Sequence, residues 1–185
     1  MSRPHIGFKS VLVEQIIAGN KTQTRRLLKP QPKRQPSAAT LPYQEGGRPY
    51  VRESCWRNPR TSDISFCGRP DPSWKFVSSM FMPRSYSRCT IEILSVKVER
   101  VSDITEEDAR AEGMLPNLVV SQADWDPDKH GYLPIHKLPT SKEFFTAREA
   151  FLATWDYINP TMPWATHNPF VGAYLFRMVS DAHKE

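Results

Sequence analysis

The sequence has 185 residues, 39% of them hydrophobic, and this length suits a single domain that buries its own core. The formal net charge of +5 is unevenly spread, because residues 1–60 carry twelve Lys or Arg and only three Asp or Glu. No apolar run approaches the length that crosses a bilayer and no apolar signal core follows Met1, so we expect a soluble, cytoplasmic protein without a membrane partner.

The chain begins with a predicted strand at residues 4–8, followed by a predicted helix over residues 10–18. Apolar residues recur in this helix at three- to five-residue spacings, as an amphipathic helix requires. Ser10 is the predicted N-cap, and Gly19 stands where many helices end in a left-handed residue.

Residues 19–26 concentrate one amine, two hydroxyls and two guanidiniums in a run with no obvious packing role. If the run is extended, alternation places Lys21, Gln23 and Arg25 on one face and the even-numbered side chains on the other. A turn at the helix exit would then be needed to direct Lys21 and Thr24 toward one pocket. The alternative is an exposed edge strand whose polar side chains are only solvated.

The segment Tyr50–Trp56 alternates apolar and polar residues and is predicted to be one strand. Its alternation directs Glu53 inward together with the apolar residues. A buried carboxylate is costly unless it is paired, so we expect a cationic partner, with Arg26, Arg84 and Lys21 as the candidates. Structural pairing and a role in a binding site are the two interpretations of Glu53.

The 17 prolines cluster where they exclude helix interiors and central strands. We therefore expect irregular connections over residues 30–49, 57–75 and 115–140. The longest strand signal lies at residues 88–100. Its apolar phase slips at Leu94–Ser95, which predicts a bulge of the kind that a small barrel needs.

A capping box that starts at Thr105 opens a predicted short acidic helix, which ends at Gly113. Glu112 lies in its last turn, where the helix dipole disfavours a carboxylate. Helix stability does not explain this placement, and Glu112 is therefore a candidate functional residue. The alternative is a solvated surface side chain.

A second capping box at Thr140 predicts a helix that ends near Ile158. Its apolar stripe is expected to pack against the barrel, and its members are Phe144, Phe151, Trp155 and Ile158. Trp164 then falls in a predicted loop, either as a cover over the core or as a base-stacking platform. Residues 170–179 form the predicted closing strand.

The cysteines, Cys55, Cys67 and Cys89, are odd in number and form no Cys-x-x-Cys pair, so neither a disulfide framework nor a zinc knuckle is predicted. The five histidines show no ligand spacing, and we predict no metal and no cofactor. The basic N-terminal third, with aromatic residues interleaved, fits a polyanion with stackable bases, and this favours RNA or a nucleotide as partner.

The motif Gly-x-Lys-Thr-x-Thr-x-Arg over residues 19–26 resembles the signature of the ASCH domain family, and residues 26–32 resemble its phage-borne members. The resemblance extends over nearly the whole chain. Its further matches are Tyr50–Glu53 with Trp56, Met82–Arg84, the strand at 88–100, Asp103–Ala109 with Glu112 and Gly113, and Trp164 with Asn168 and Pro169. The resemblance implies an α+β fold, a small PUA-like β-barrel with peripheral helices. This chain would be a single domain over residues 1–185, with insertions at about 33–48, 57–75 and 115–140.

The family includes an amidohydrolase that acts on N4-acetylcytidine, and the residue types of its catalytic site match Lys21, Thr24 and Glu112 here. The resemblance implies that Thr24 attacks the acetyl carbonyl, that neutral Lys21 takes the proton, and that Glu112 positions this base or protonates the leaving amine. For Lys21 to act as a base its pKa must fall. Burial and the cations Arg25 and Arg26 favour this, whereas Glu112 opposes it.

The family also includes RNA-binding modules and members with nuclease activity, so an RNA-binding or nucleolytic protein without amidohydrolase activity is the alternative. In that reading, cations would contact phosphates and tryptophans would stack on bases. The residues are Lys21, Arg25, Arg26, Arg52 and Arg84 for phosphates, and Trp56 and Trp164 for bases. A phage accessory or morphogenesis factor with a degenerate site is a third possibility, which would act in the bacterial host cytoplasm.

Overall fold

The computed structural model describes residues 5–114 and 146–180, and over these ranges the fold is α+β, with a sheet-dominated core and few helices. The strands are β1 (His5–Gly7), β2 (Gln23–Leu27), β3 (Tyr50–Arg52), β4 (Cys55–Arg57), β5 (Ile64–Ser65), β6 (Lys75–Val77), β7 (Thr90–Arg100) and β8 (Phe170–Ser180). The helices are α1 (Ser10–Ile17), α2 (Glu106–Ala111), α3 (Ala147–Ile158) and α4 (Trp164–His167). Within the described ranges, none of these helices has the length and apolarity that crossing a membrane requires.

The main sheet has five strands in the order β1-β3-β7-β8-β2. Strands β1 and β3 pair in parallel, and the other pairs are antiparallel. The centre is the long ladder of β7 with β8, whose register shifts between Ile93 and Ser95. This confirms the bulge predicted from the slip in apolar phase. Strands β1 and β2 are the two edges, and β2 carries most of the candidate motif.

A second, three-stranded sheet in the order β5-β4-β6 corrects two predictions. Residues 57–75 contain strand β5 and the start of β6 instead of being wholly irregular, because strands of two and three residues are too short to show a period. The predicted strand Tyr50–Trp56 is two strands in different sheets. The alternation of buried side chains continues across the break, since Val51, Glu53 and Cys55 are all buried. The strand pairing does not continue, because β3 pairs with β7 whereas β4 pairs with β6.

Helix α1 confirms the predicted element and its predicted end, but Ser10 does not cap it. Lys9 is the N-cap without a side-chain bond, and the hydroxyl of Ser10 donates instead to the carbonyl of Ser54. The packing of α1 against the sheet buries Val13 and Ile16. Helix α1 therefore contacts both the main core, through Val13 and Ile16, and the residue that precedes β4, through Ser10.

The main core lies against one face of the large sheet and includes two side chains from the Pro-rich connection. Leu41 and Tyr43 are buried in the same cluster as Phe8, Tyr174 and Phe176. Residues 30–49 are otherwise irregular apart from one short turn at Ala38–Thr40, as predicted. The connection therefore supplies part of the core as well as joining two strands.

A second apolar cluster joins α2, α3 and the start of β8. Phe151 and Trp155 are buried there as predicted, whereas Ile158 is exposed because it lies at the end of α3. This helix begins at Ala147, after the N-cap Thr146, and not at the predicted cap. The predicted cap at Thr140, the stripe residue Phe144 and the loop over 115–140 lie outside the described residues.

Candidate functional site

The exit of α1 positions Lys21 through a tight set of backbone hydrogen bonds. Gly19 is left-handed with φ of +77°, and the N–H of Asn20 bonds the carbonyl of Gln15 over 2.9 Å. The same carbonyl accepts the N–H of Lys21 over 3.0 Å. This turn, which the sequence predicted, directs the Lys21 side chain toward the interior just before β2 begins.

The side-chain nitrogen of Lys21 donates to three acceptors. They are the carbonyl of Gln23 at 2.8 Å, the carbonyl of Glu112 at 2.8 Å and Oε2 of Glu112 at 2.7 Å. An ammonium group has three N–H donors, and here each has an acceptor. Lys21 is only 3% exposed, so this geometry describes a buried ammonium ion that pairs with one carboxylate.

Glu112 reaches this position because it ends α2. Thr105 caps the start of the helix by accepting the N–H of Asp108, and Gly113 follows its end with φ of +93°. The N–H of Thr22 bonds the carbonyl of Ala111 over 2.8 Å and so ties the end of α2 to the approach to β2. Glu112 is therefore a buried partner of Lys21 and not a solvated surface side chain.

The guanidinium of Arg25 lies on the other side of Glu112, with Nη1 at 3.3 Å from Oε1. It also pairs with Glu99 and with Asp108, each at 2.7 Å, and its side chain is fully buried. Lys97 contacts both of those carboxylates. Arg25 thus belongs to a compensated ion-pair network, whereas the sequence suggested it as a phosphate ligand.

The electrostatic environment of Lys21 favours its neutral form more than water does. Burial lowers the pKa of Lys21 below its ordinary value, and the positive charges of Arg26 and Arg25 act in the same direction. The carboxylate of Glu112 opposes this and raises the pKa. The net direction is downward, and burial is its largest cause.

Thr24 lies within β2, where it is buried opposite Tyr174 of β8. Alternation places it on the same face as Arg26, whose guanidinium carbon is 4.8 Å from the centre of the Phe8 ring. The nitrogen Nζ of Lys21 is 5.9 Å from the same ring centre. The Phe8 ring therefore lies near both cations, and Arg26 is the one that alternation places on the face of β2 shared with Thr24.

Two side chains of the Pro-rich connection, Leu41 and Tyr43, cover the face of the sheet near Thr24. The ring of Tyr43 meets that of Tyr174 edge-on, with the ring centres 5.3 Å apart. A Cβ atom at Gly172 would lie 3.0 Å from Cδ1 of Leu41 and 2.8 Å from the hydroxyl oxygen of Tyr174, so only glycine permits this approach. Residues of the insertion at 33–48 thus help to enclose the surroundings of Thr24.

Glu53 is fully buried, as its phase in the strand predicted, but its partner differs from the three that were expected. Arg88 forms a two-point pair with it, with Nε to Oε1 and Nη2 to Oε2 both at 2.7 Å. Arg26 instead stacks on Phe8 and donates to the carbonyl of Gly7. No spacing in the sequence links positions 53 and 88, so this pair was not predictable, and Nζ of Lys21 donates to other acceptors.

The remaining predicted binding residues do not gather around Lys21. Arg52 donates to the carbonyl of Met80, and Arg84 is exposed at the start of a short turn. Trp56 packs against Phe76 in the small sheet, and Trp164 packs against the second apolar cluster. Trp164 begins helix α4, whereas the sequence placed it in a loop.

Asp108 and Glu99 are site residues that the sequence analysis missed. Asp108 precedes Glu112 by four residues on α2, a spacing that places both on one face, so a signal for it was present. Glu99 had no comparable signal, because its contact with Arg25 depends on the packing of β2 and β7. Over residues 5–114 and 146–180, no three His, Cys, Asp or Glu side chains group so as to hold a metal ion.

No protein-family model matches the chain, and no curated protein sequence is significantly similar to it. Among solved structures, the chain is similar to a protein of Enterococcus faecalis V583 described under the family model DUF984. The identity is 12%, the match covers 100% of this chain and 85% of the other, and the TM-score is 0.47. It is also similar to an ASCH domain from Lactobacillus crispatus JV V101, at 15% identity and a TM-score of 0.40, over 91% of this chain and 70% of the other. With both TM-scores below 0.5, these similarities leave the family of the chain unassigned.

Proposed function

We propose that the protein is an amidohydrolase that removes the acetyl group of N4-acetylcytidine or of a closely related acylated nucleoside. The observation that carries the proposal is the direct buried contact of Lys21 with Glu112. Strand β2, which follows Lys21 in the chain, carries the buried Thr24. An amine, a carboxylate and a hydroxyl are the groups that a covalent acyl transfer needs. The motif resemblance to the ASCH amidohydrolase supports the same roles.

Lys21 must be neutral to act as the base, because all three N–H donors of its ammonium form are engaged in the resting ion pair. Burial and the positive charges of Arg26 and Arg25 lower the pKa of Lys21 and so favour this neutral form. Oε2 of Glu112 accepts a hydrogen bond from Nζ of Lys21 over 2.7 Å. Glu112 therefore orients the amine while Lys21 acts as the base.

Thr24 then attacks the acetyl carbonyl carbon while its hydroxyl proton passes to Nζ of Lys21. The bond between the carbonyl carbon and N4 of the nucleoside breaks, and the proton held by the Lys21–Glu112 pair passes to the leaving amine. Water hydrolyses the acetyl ester on Thr24, which yields acetate and regenerates the hydroxyl. The net reaction consumes one water and releases cytidine and acetate.

Arg26 is the group that we propose to hold the carbonyl oxygen as negative charge develops on it. Its Nε is buried and has no hydrogen-bond partner among residues 5–114 and 146–180, and Arg26 lies on the face that Thr24 shares. A fixed cationic donor at that point would stabilise the oxyanion of the tetrahedral intermediate. The stacking of Arg26 on Phe8 holds the guanidinium in place for this task.

Phosphate docking at the motif, the alternative function, is less well supported by this geometry. The donors of Lys21 are already accepted by protein oxygens, and Arg25 is paired with three carboxylates. A phosphate would have to displace several of these bonds and leave buried carboxylates without partners, which is costly.

We also propose that the domain is a single PUA-like barrel that acts in the cytoplasm, and in that of a bacterial host if it is phage-encoded. Strands β1 and β2 are the edges of the large sheet, and the side chain of Arg26 on β2 donates to the carbonyl of Gly7 on β1. An approach of the two edges is what closure of a barrel requires.

The test is to incubate pure protein with N4-acetylcytidine and to quantify cytidine and acetate. Wild type is expected to release both in equal amounts, whereas Lys21→Ala, Thr24→Ala and Glu112→Ala release neither above background. Thr22→Ala is the matched control, since it removes the neighbouring threonine hydroxyl of the same motif. Absence of release by wild type, or equal activity of Thr24→Ala and Thr22→Ala, would refute the proposal.

A further inference from the structure

The hydroxyl that the proposed reaction needs is enclosed by the protein. Thr24 is 5% exposed, and Lys21 of the same motif is 3% exposed. The acetyl carbon of a substrate must approach the reacting oxygen to within about 3.5 Å. A nucleoside cannot reach a side chain with so little exposed surface, so part of the protein must move before Thr24 can react.

Tyr43 packs on the cross-strand partner of Thr24. That partner is Tyr174, and paired side chains lie on the same face of a sheet. The ring of Tyr43 meets the ring of Tyr174 edge-on, with the centres 5.3 Å apart. The hydroxyl of Tyr43 donates to the carbonyl of His5 over 3.0 Å. Tyr43 therefore covers the residue opposite Thr24 and is itself attached to the edge strand β1.

Leu41 covers the neighbouring position on the same face. Arg26, the proposed oxyanion donor, is paired with Gly172. A Cβ atom at Gly172 would lie 3.0 Å from Cδ1 of Leu41, so the Leu41 side chain rests against the backbone there. Leu41 and Tyr43 thus lie over the two positions of β8 that are opposite Arg26 and Thr24.

Both side chains belong to residues 36–45, the strap, which is fixed to β7 at each end. The side-chain amide of Gln35 donates to the carbonyl of Val98 over 2.7 Å, and the N–H of Gly46 donates to the carbonyl of Ile93 over 2.8 Å. The two acceptors are separated by about 17 Å along an extended strand. The chain between the two donors spans about 37 Å when it is extended. The strap therefore has enough length to lift while both of its attachments stay in place.

The strap also carries hydrogen bonds of its own. The side-chain amide of Gln44 donates to the carbonyl of Leu41 over 2.7 Å, and the N–H of Leu41 bonds the carbonyl of Ala38 over 3.0 Å. These bonds stay intact if the strap moves as a unit. Lifting then exposes the apolar side chains of Leu41 and Tyr43, and the cost of exposing them to water favours the closed form at rest.

We infer that the strap is a gate over Thr24, which lifts to admit an acylated nucleoside and closes over it for the acyl transfer. The inference rests on the proposed function, because it takes Thr24 as the group that the substrate must reach. Its test measures access to position 24 without any turnover. The gate and the hydrolase can therefore fail separately.

The experiment follows the reaction of iodoacetamide with the full-length variant Thr24→Cys by peptide mass spectrometry. The chain supplies two internal references, because Cys67 is exposed and Cys89 is buried. The thiol at position 24 is expected to react more slowly than Cys67, since the strap covers it most of the time. It is expected to react at least about tenfold faster than Cys89, since opening of the strap is local whereas exposure of Cys89 requires loss of the core.

Variants of the strap are then combined with Thr24→Cys. Leu41→Ala is expected to speed labelling of position 24 by about tenfold or more, because it removes an apolar contact that holds the strap closed. Tyr43→Phe is expected to speed it by about threefold or more, because the bond to His5 is lost. Leu152→Ala is the matched control, since it removes the same atoms from the second apolar cluster. It is expected to speed labelling of Cys89 and to leave the rate at position 24 unchanged.

Three results would overturn the gate. Labelling of position 24 as fast as that of Cys67 would mean that the site is already open. Labelling as slow as that of Cys89 would mean that only unfolding exposes it. Equal acceleration at position 24 by Leu41→Ala and Leu152→Ala would mean that the strap has no special part in access. The expected labelling pattern in a protein that releases no cytidine would refute the hydrolase and leave the gate supported.

Discussion

The carboxylate of Glu112 lies 2.7 Å from the side-chain nitrogen of Lys21, although 91 positions separate them in the sequence. Two local devices create this contact. The left-handed turn at Gly19 directs Lys21 inward, and α2 ends at the residue that meets it. Arg25 also stabilises this pair, because its guanidinium contacts the other oxygen of the Glu112 carboxylate.

The first prediction concerns the removal of that carboxylate. Glu112→Gln is expected to lower kcat/KM for N4-acetylcytidine by about a hundredfold, because Lys21 loses the carboxylate that orients its amine. The acid limb of the pH profile is expected to move to lower pH, since Glu112 raises the pKa of Lys21. Asp108→Asn is the control, because Asp108 bonds Arg25 without contacting Lys21. An unchanged or upward-shifted limb in Glu112→Gln would contradict the assignment.

The second prediction is the pH dependence of the wild-type enzyme. Only neutral Lys21 accepts a proton, so kcat/KM should rise with pH through the pKa of Lys21 and then level off. Burial lowers that pKa, and the midpoint of the rise should therefore lie below the ordinary lysine value of about 10.4. The measurement is kcat/KM across the stable pH range. A profile that falls as pH rises would mean that Lys21 acts while protonated.

The third prediction compares two glycines with positive φ. An alanine at Gly113 would place its Cβ 3.5 Å from Cβ of Lys21, whereas one at Gly19 would meet no atom within 4 Å. Both substitutions should destabilise the fold by about 1–2 kcal/mol, because both force a left-handed backbone on alanine. A distance of 3.5 Å is an ordinary van der Waals contact, so neither substitution should displace Lys21 and both should leave kcat/KM near that of wild type. Denaturant unfolding together with kinetics on both variants tests this, and a large loss of activity in Gly113→Ala alone would show that the site does not accommodate the contact.

The fourth prediction concerns the pair of Glu53 with Arg88. Arg88→Met should lower the free energy of unfolding by about 3–5 kcal/mol, because it leaves a fully buried carboxylate without its cation. The double variant Glu53→Leu with Arg88→Met should be more stable than Arg88→Met alone, since the unpaired charge is then gone. Urea unfolding of the variants measures both differences. A double variant less stable than Arg88→Met would mean that packing outweighs the charge.

Local patterns predicted much of this structure. The end of α1 at Gly19, the inward phase of Glu53 and the bulge near Ser95 all followed from propensity and alternation, which act over a few residues. Partners distant in sequence were not predictable in the same way. Alternation fixes the side of a strand that a residue faces, but it does not fix which strand lies beside it. For this reason Arg88 was missed as the partner of Glu53, and the break after β3 went undetected.

The same distinction between local patterns and distant contacts applies to the candidate site. Lys21, Thr24 and Glu112 were selected from the motif resemblance and from the unusual place of a carboxylate at a helix end. The role of Arg25 as a buried centre of three ion pairs depends on the packing of β2, β7 and α2, and only the structure reveals it.

The most direct test of the central claim is to follow the first turnover by rapid acid quench and peptide mass spectrometry. Excess N4-acetylcytidine is mixed with the enzyme, and the peptide that contains Thr24 is analysed at successive times. One added acetyl group is expected on Thr24, formed together with the first cytidine released. Release of cytidine while Thr24 stays unmodified at every time point would contradict it.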